Sequence, residues 1–443
     1  MAIVALLSGC CSATIAPELK INMLNVLINA YAIAPYFGSE QGLTWMWITE
    51  LAKYHNLYII TEGEWQSEIE QVVMTHPLKD RMHFYFNPVC PKVRRMCWNQ
   101  GDWRFYLHYR RWQIKTLKIA KQICSDVHID ITHQLSMIGF REPGLLWKID
   151  GPKHLWGPIG NMGDVPTRFL TDLPLHVRLK HMLKNAISHY QITHSPVKEA
   201  IKQSDKMIAA LKVTADIIKD KYGIDVEVIN ETGLLPAGEH IHEYDSRNPL
   251  ELLWVGRFIP TKKLSIALES LARTKDHRKF RVHIVGSGSE EEVNMYHTLA
   301  EKLGINDVCI WYGRIQHSEV QMLMQKKDLL FFTSIYEGGP HVVNEAIANN
   351  LPILCFDTCG QGLVVDESIG WLVPLSTLDE GIMQFAEKLD FILEHRKQLS
   401  ICSKNCTTKQ QELSWERKIR RISEIYEELV NGRSTKSEHR TIS

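Results

Sequence analysis

The chain has 443 residues, 44% hydrophobic and 23% charged, an ordinary globular composition and too long for one typical domain. Its 51 lysines and arginines balance 51 aspartates and glutamates, which argues against a general nucleic-acid binder, since such proteins carry a basic excess. Of the ten cysteines, neither Cys355 with Cys359 nor Cys402 with Cys406 has a partner at zinc-finger spacing, so no metal site is expected.

The first segment, Met1 to Cys11, is apolar, and Leu7 to Cys10 looks like a lipoprotein processing box. It lacks a basic leader and is short for a signal peptide. Met23 stands directly before the first convincing strand, Leu24–Ala30. Residues 1–22 are therefore expected to be an extension outside the fold, with translation starting at or near Met23. No apolar run approaches the roughly 20 residues that span a bilayer, and a cytoplasmic protein is expected.

Strand-like apolar runs then alternate with helical patterns, the mark of parallel α/β architecture. In the first half they fall at 24–30, 57–61, 82–86, 130–133, 154–157 and 206–210. In the second half they fall at 252–256, 281–286, 308–312, 329–333, 353–356 and 370–373. Two such sets predict two doubly wound, Rossmann-like domains, 23–230 and 231–412, with the crossover between Val228 and Asn248. Ile419, Ile422, Tyr426 and Leu429 recur at helical spacing, which predicts an amphipathic terminal helix over 413–430. The tail, 431–443, is polar and expected to be disordered.

Three segments of the first half attract attention. The loop around Gly38 and Gly42 follows the first strand and opens a helix through Leu51, so its glycines let backbone approach a ligand. His133 stands just past a short strand, where a lone histidine is usually structural. Residues 157–161 form another glycine-rich strand exit, ending in Gly160 and Asn161, whose ligand role stays open. Between these, residues 90–123 carry nine lysines and arginines against one acid, Asp102, with Trp98, Trp103, Tyr106, Tyr109 and Trp112 interleaved. On a helix, Phe105, Tyr109, Trp112, Ile119 and Ile123 share one face and Arg104, Arg111, Lys115 and Lys118 another. That combination suits the interface of an anionic membrane, although an apolar core face with solvated cations reads equally well.

The second half offers three loops at strand carboxyl ends, which converge on one crevice in such folds. The strand ending at Gly256 is followed by Arg257 and Lys262, a guanidinium fork and a mobile ammonium suited to phosphates. Gly286 and Gly288 follow the next strand. The third loop runs from Ser334 through Glu337, Gly338, Gly339, Pro340 and His341 to Glu345, at the start of a short helix ended by Asn349 to Pro352. A helix start directs N–H groups at an anion, and a carboxylate just inside it can accept from two ribose hydroxyls.

Together these residues resemble family-4 glycosyltransferases, retaining enzymes of the GT-B fold, over about Leu24 to Val430. The match is most specific between Leu252 and Val373. The resemblance implies transfer of a sugar from a nucleoside-diphosphate donor to a hydroxyl acceptor, with retention and with neither metal nor cofactor. The absence of any Asp-x-Asp motif weighs against the other large glycosyltransferase fold. It gives Arg257 and Lys262 to the diphosphate, Glu345 to the ribose and Glu337 to the reacting sugar. It gives Gly38, Gly256, Gly286, Gly288, Gly338, Gly339, Pro340 and His341 to the donor site, and makes His133 a cleft histidine touching the transferred sugar. One departure stands out: the family usually has glycine where this chain has Lys263. The acceptor is expected to be lipid-linked, in bacterial surface polysaccharide or glycolipid assembly, with peripheral membrane contact through 90–123. A nucleotide-sugar 2-epimerase of the same architecture, or a non-catalytic sugar-nucleotide-binding subunit, would show many of the same features.

Overall fold

The computed structural model describes residues 22–35, 39–98, 102–235, 242 and 249–432. The expected extension, apart from Asn22, and the tail from 433 onward lie outside the described residues, as does Gly38.

Seven strands form the first sheet: β1 (Asn25–Ala30), β2 (Asn56–Thr61), β3 (Met82–Phe86), β4 (Ile131–Ser136), β5 (Lys153–Ile159), β6 (Lys206–Ala209) and β7 (Glu227–Val228). Six form the second: β8 (Leu250–Val255), β9 (Phe280–Val285), β10 (Cys309–Gly313), β11 (Leu329–Phe332), β12 (Ile353–Asp357) and β13 (Gly370–Pro374). The spatial orders are β3-β2-β1-β4-β5-β6-β7 and β10-β9-β8-β11-β12-β13, and the registered pairs are all parallel. Each sheet is doubly wound. Its direction of winding reverses between β1 and β4 in one and between β8 and β11 in the other, the switch points where such sheets bind ligands. The helices that frame the cleft and its surroundings are α1 (Ser39–Leu51), α2 (Arg104–Asp126), α3 (Leu175–Ile192), α4 (Glu290–Lys302), α5 (His317–Met324), α6 (His341–Ala348) and α7 (Trp415–Val430).

The second sheet is buried on both faces, as parallel sheets are. Leu252, Trp254, Phe331 and Phe356 pack on one side, while Leu253, Leu330, Phe332 and Cys355 pack on the other. The first sheet carries polar side chains inside. Asn29 of β1 donates to Gln113 of α2 and Gln134 of β4, both at 2.7 Å, with all three residues buried.

Neither domain is a simple stretch of chain. Val165, Phe169 and Leu170, which follow β5, pack into the core of the second domain, where Phe169 meets Phe356 edge-on. Helix α7 returns the other way, placing Trp415, Ile419, Ile422 and Tyr426 in the core of the first domain. The outgoing and returning chains pair side by side, Leu234 N–H to Leu413 O and Trp415 N–H to Leu234 O. A Cβ on Gly233 would come within 2.6 Å of the Trp415 ring, so glycine is what permits this crossing.

In α2 the apolar face is core, one of the two readings its sequence allowed. Phe105, Tyr109 and Trp112 surround Tyr31, with ring centroids 4.9–5.7 Å away, and Ile123 is buried beneath β1 and β2. Aromatic rings already packed edge to face have no surface left for lipid. What α2 leaves outside is a set of cations, including Arg111, Lys115 and Lys118, with Leu107 and Ile114. Among the described residues no helix is long and apolar enough to cross a membrane.

Candidate functional site

The second-domain wall is built at the β8/β11 switch point. After β11, Ile335 N–H and the Ser334 hydroxyl both donate to Thr261 O, while the Thr333 hydroxyl donates to Lys263 O at 2.8 Å. These bonds hold the loop after β8 against the loop after β11. In consequence the Lys262 ammonium lies 2.5 Å from the Glu337 carboxylate, which also accepts from Ser334. Both ends of the pair are largely buried, 15% and 13% exposed. Gly256 lets the Lys262 stem pass, with its Cδ 3.5 Å from where a Cβ would stand.

The β9 exit leans on the same loop. Gly256 N–H donates to Val285 O and Phe258 N–H to Ser287 O. Gly286, at φ +155°, has Gly256 O only 1.8 Å from its missing Cβ, so no larger residue fits. Gly288 is similarly closed in by Phe258 and Glu292, the latter completing the Ser289 capping box of α4. Gly256, Gly286 and Gly288 thus shape one continuous wall. Arg257 extends from it into solvent.

Helix α6 begins at His341 with Pro340 as its N-cap. The first-turn N–H groups of a helix have no carbonyl of their own helix to bond; here that of His341 donates to Gly339 O at 2.9 Å. Pro340 packs on Gly360, where a Cβ would come within 2.6 Å. Glu345 sits one turn in and accepts from His317 of α5 at 3.1 Å. Burial raises its carboxyl, while His317 and Gln321 hold it down in part.

The first domain closes the cleft with residues that sequence reasoning did not single out. A cavity of about 130 Å³ lies between the domains, lined by Glu40, Ile138, Asn161, Glu231, Gly338 and His341 among others. Glu40 of α1 accepts from Ile138 N–H at 2.9 Å. Gly338 looks across at Asn161, whose Oδ1 would be 3.6 Å from a Cβ, and Gly339 abuts the Glu231 carboxylate, 2.1 Å from a Cβ. His341 Nε2 is 3.9 Å from Glu231. Burial pushes the Glu231 carboxyl up to about 8, with the negative Glu40 adding to the effect and Lys418 opposing it. Lys418 is lowered to about 7 by burial. Two carboxylates and a histidine therefore meet at the start of α6. The signals that existed were the loop around Gly38 and Gly42, which contains Glu40, and the strand exit ending at Asn161. Glu231 lay in the crossover, where nothing local marked it.

His133 is a correction. It lies within β4, fully buried, with Nδ1 bonded to the Tyr426 hydroxyl at 2.6 Å and Nε2 to Gly157 O at 2.7 Å. Burial lowers it to about 4, so it is a neutral core group with both nitrogens occupied and none left for a sugar in the cleft. Lys263, the departure from the family pattern, adopts φ +51° and is 2% exposed, its ammonium 2.5 Å from Asp172 in the segment that crosses from the first domain. Among the described residues no group of three or more His, Cys, Asp or Glu side chains could hold a metal ion.

Two Rossmann-like domains whose switch points face one cleft define a GT-B fold. Solved structures agree: a glycosyltransferase from Rickettsia africae aligns with a TM-score of 0.60 at 17% identity, over 92% of this chain and 99% of that one. Anabaena Alr3699/HepE in complex with UDP and glucose aligns with a TM-score of 0.55 at 13% identity, over 92% of this chain and all of that one. The family model of the glycosyl transferases group 1 matches residues 240–409, within the second domain. The chain is also 29% identical over 197 residues to the lipopolysaccharide 1,6-galactosyltransferase of Salmonella typhimurium (strain LT2). That match covers 41% of this chain and about half, 51%, of the relative's length.

Proposed function

We propose that the protein is a retaining glycosyltransferase of the family-4 type that moves a hexose from a nucleoside-diphosphate sugar to a hydroxyl acceptor. Its place is in bacterial cell-surface polysaccharide or glycolipid assembly, with a lipid-linked glycan as the acceptor. The observation that carries this reading is the Lys262–Glu337 pair at the β8/β11 switch point, beside the start of α6. The Salmonella relative, by its name a galactosyltransferase acting on lipopolysaccharide, supports the pathway.

In this mechanism the donor diphosphate lies between Arg257, Lys262 and the first turn of α6, and its ribose reaches Glu345. As the glycosidic bond breaks, negative charge grows on the leaving diphosphate. Two cations and an oriented helix start neutralise it, with no metal needed. The acceptor hydroxyl attacks from the same face and gives its proton to the departing phosphate, so no enzyme nucleophile takes part. Glu337, held by Lys262 and Ser334, orients the sugar. The carboxylates at 40 and 231 bound the space beyond it.

Binding of a panel of nucleotide sugars, read as a shift in melting temperature, tests the reading. One donor should stabilise strongly, on the order of 2.7 kcal/mol at a hundredfold excess over its Kd. Glu345→Ala should weaken that donor about tenfold or more, a loss near 1.4 kcal/mol. An unchanged affinity would remove Glu345 from the ribose.

A further inference from the structure

Helix α3 is amphipathic in the wrong sense for a protein interior. Leu175, Leu179, Met182, Leu183, Ile187 and Tyr190 recur at intervals of three and four and should form a core stripe. Each is instead between 46% and 65% exposed. The side facing the protein is the polar one. Ser188 and Ile192 are buried, Arg141 donates to Ser188 and Gln191, and Asn185 bonds both the N–H and the carbonyl of Val165. These bonds hold the helix with its apolar stripe outward.

Within the helix the charge is of one sign: residues 175–192 contain Arg178, Lys180 and Lys184 and no aspartate or glutamate. The acid that meets it is Asp164, bonded to His189 at 2.8 Å. Burial lowers the Lys184 ammonium, and the like charges of Arg141 and Lys180 add to the effect. An apolar strip bordered by cations, with Tyr190 near its end, matches the chemistry of an anionic lipid surface: acyl chains for the strip, phosphates for the cations. A second copy of the chain, packed about a two-fold axis, would set these cations against one another.

We propose that α3 lies in the plane of an anionic bilayer, its leucines in the headgroup boundary and Arg178, Lys180 and Lys184 among lipid phosphates. The face that α2 buries is replaced in this role by the one α3 exposes. The contact orients the first domain on the membrane and is independent of what the cleft binds.

Co-sedimentation of the full chain with vesicles tests this. Vesicles of phosphatidylcholine mixed with phosphatidylglycerol should bind it, more weakly at high salt, and phosphatidylcholine vesicles should not. Leu179→Glu with Leu183→Glu should weaken binding at least about tenfold, and Lys180→Glu with Lys184→Glu similarly. All four side chains point outward, so melting temperature and nucleotide-sugar stabilisation should stay unchanged. Met383→Glu, an exposed apolar position on the second domain, should bind as the parent does. Absent or charge-independent binding by the parent would overturn the proposal. So would binding by the leucine variant at parent strength, or a dimer in solution that the leucine variant dissociates while no vesicle binds. Loss of nucleotide-sugar stabilisation in the parent would count against the glycosyltransferase reading alone.

Discussion

The two domains share one topology and differ in what they keep inside. In the second domain β11 is apolar throughout, Glu251 of β8 is bonded to the buried His283 of β9, and the candidate donor residues lie on the loops beyond the strands' carboxyl ends. The first domain threads polar groups through its sheet: Asn29 and Gln134 bond each other, and His133 is bonded to a tyrosine 293 positions away. A polar residue near a strand end therefore means different things in the two halves. In the second the candidate donor groups sit on loops past the strand ends; in the first His133 is held inside the strand.

The sharpest way to break this contrast is to remove one group from each. Lys262→Ala should lower turnover roughly 10²–10³-fold, the scale of losing one oriented electrostatic group. Its melting temperature should fall less than that of the histidine variant below, since Ser334 still bonds Glu337 when the lysine, which also lies over the Phe332 ring, is lost. Near-normal turnover would separate Lys262 from the donor diphosphate. His133→Ala should do the reverse. It strands the Tyr426 hydroxyl and the Gly157 carbonyl and opens a void between β4 and α7, a cost of about 2–4 kcal/mol. Turnover per folded molecule should hold. A collapse of turnover with stability intact would return His133 to the cleft.

That pair also shows how far the sequence could be read. Both sheets, and the loops after β8, β9 and β11, were legible because apolar runs of strand length ended at Gly256, Gly286 and Ser334. His133 misled because its partner arrives on α7, which no local pattern connects to β4. The same holds for the face of α2, where Tyr31 from β1 completes the cluster. Glu231 stayed hidden for a related reason: its burial is created by two domains meeting.

Glu231 sharpens the comparison at the boundary itself. Its folded value near 8 lies above the ordinary carboxyl range, so the folded state holds a proton there that the unfolded chain releases near 4.5. Stability from this group is complete below about 4.5 and is lost as pH rises toward 8. Lys418, lowered to about 7, contributes in the opposite sense only above that pH. The window from pH 5 to 7 thus isolates the carboxyl. Glu231→Gln should remove a decline of about 2 kcal/mol across it, at 1.36 kcal/mol per pH unit at most. Parallel melting curves for parent and variant through this range would mean that Glu231 is charged in the folded protein.

The smallest expected effect concerns Lys263, where the second domain departs from its family and the first domain answers. A left-handed φ costs a residue with a Cβ roughly 1–2 kcal/mol, which glycine would avoid. Here the lysine is retained with its side chain buried against Asp172, so the ion pair between domains offsets the strain. Asp172 also accepts from the Ser265 hydroxyl at 3.3 Å and is 27% exposed, so it keeps a partner and some water when the ammonium is lost. The coupling is accordingly modest. Lys263→Gly alone should destabilise, the same change in an Asp172→Asn background should be near neutral, and the cycle should close with about 1 kcal/mol of interaction. If the two changes add, the left-handed lysine is carried by the loop alone, and the first domain has no part in shaping the donor wall at this point.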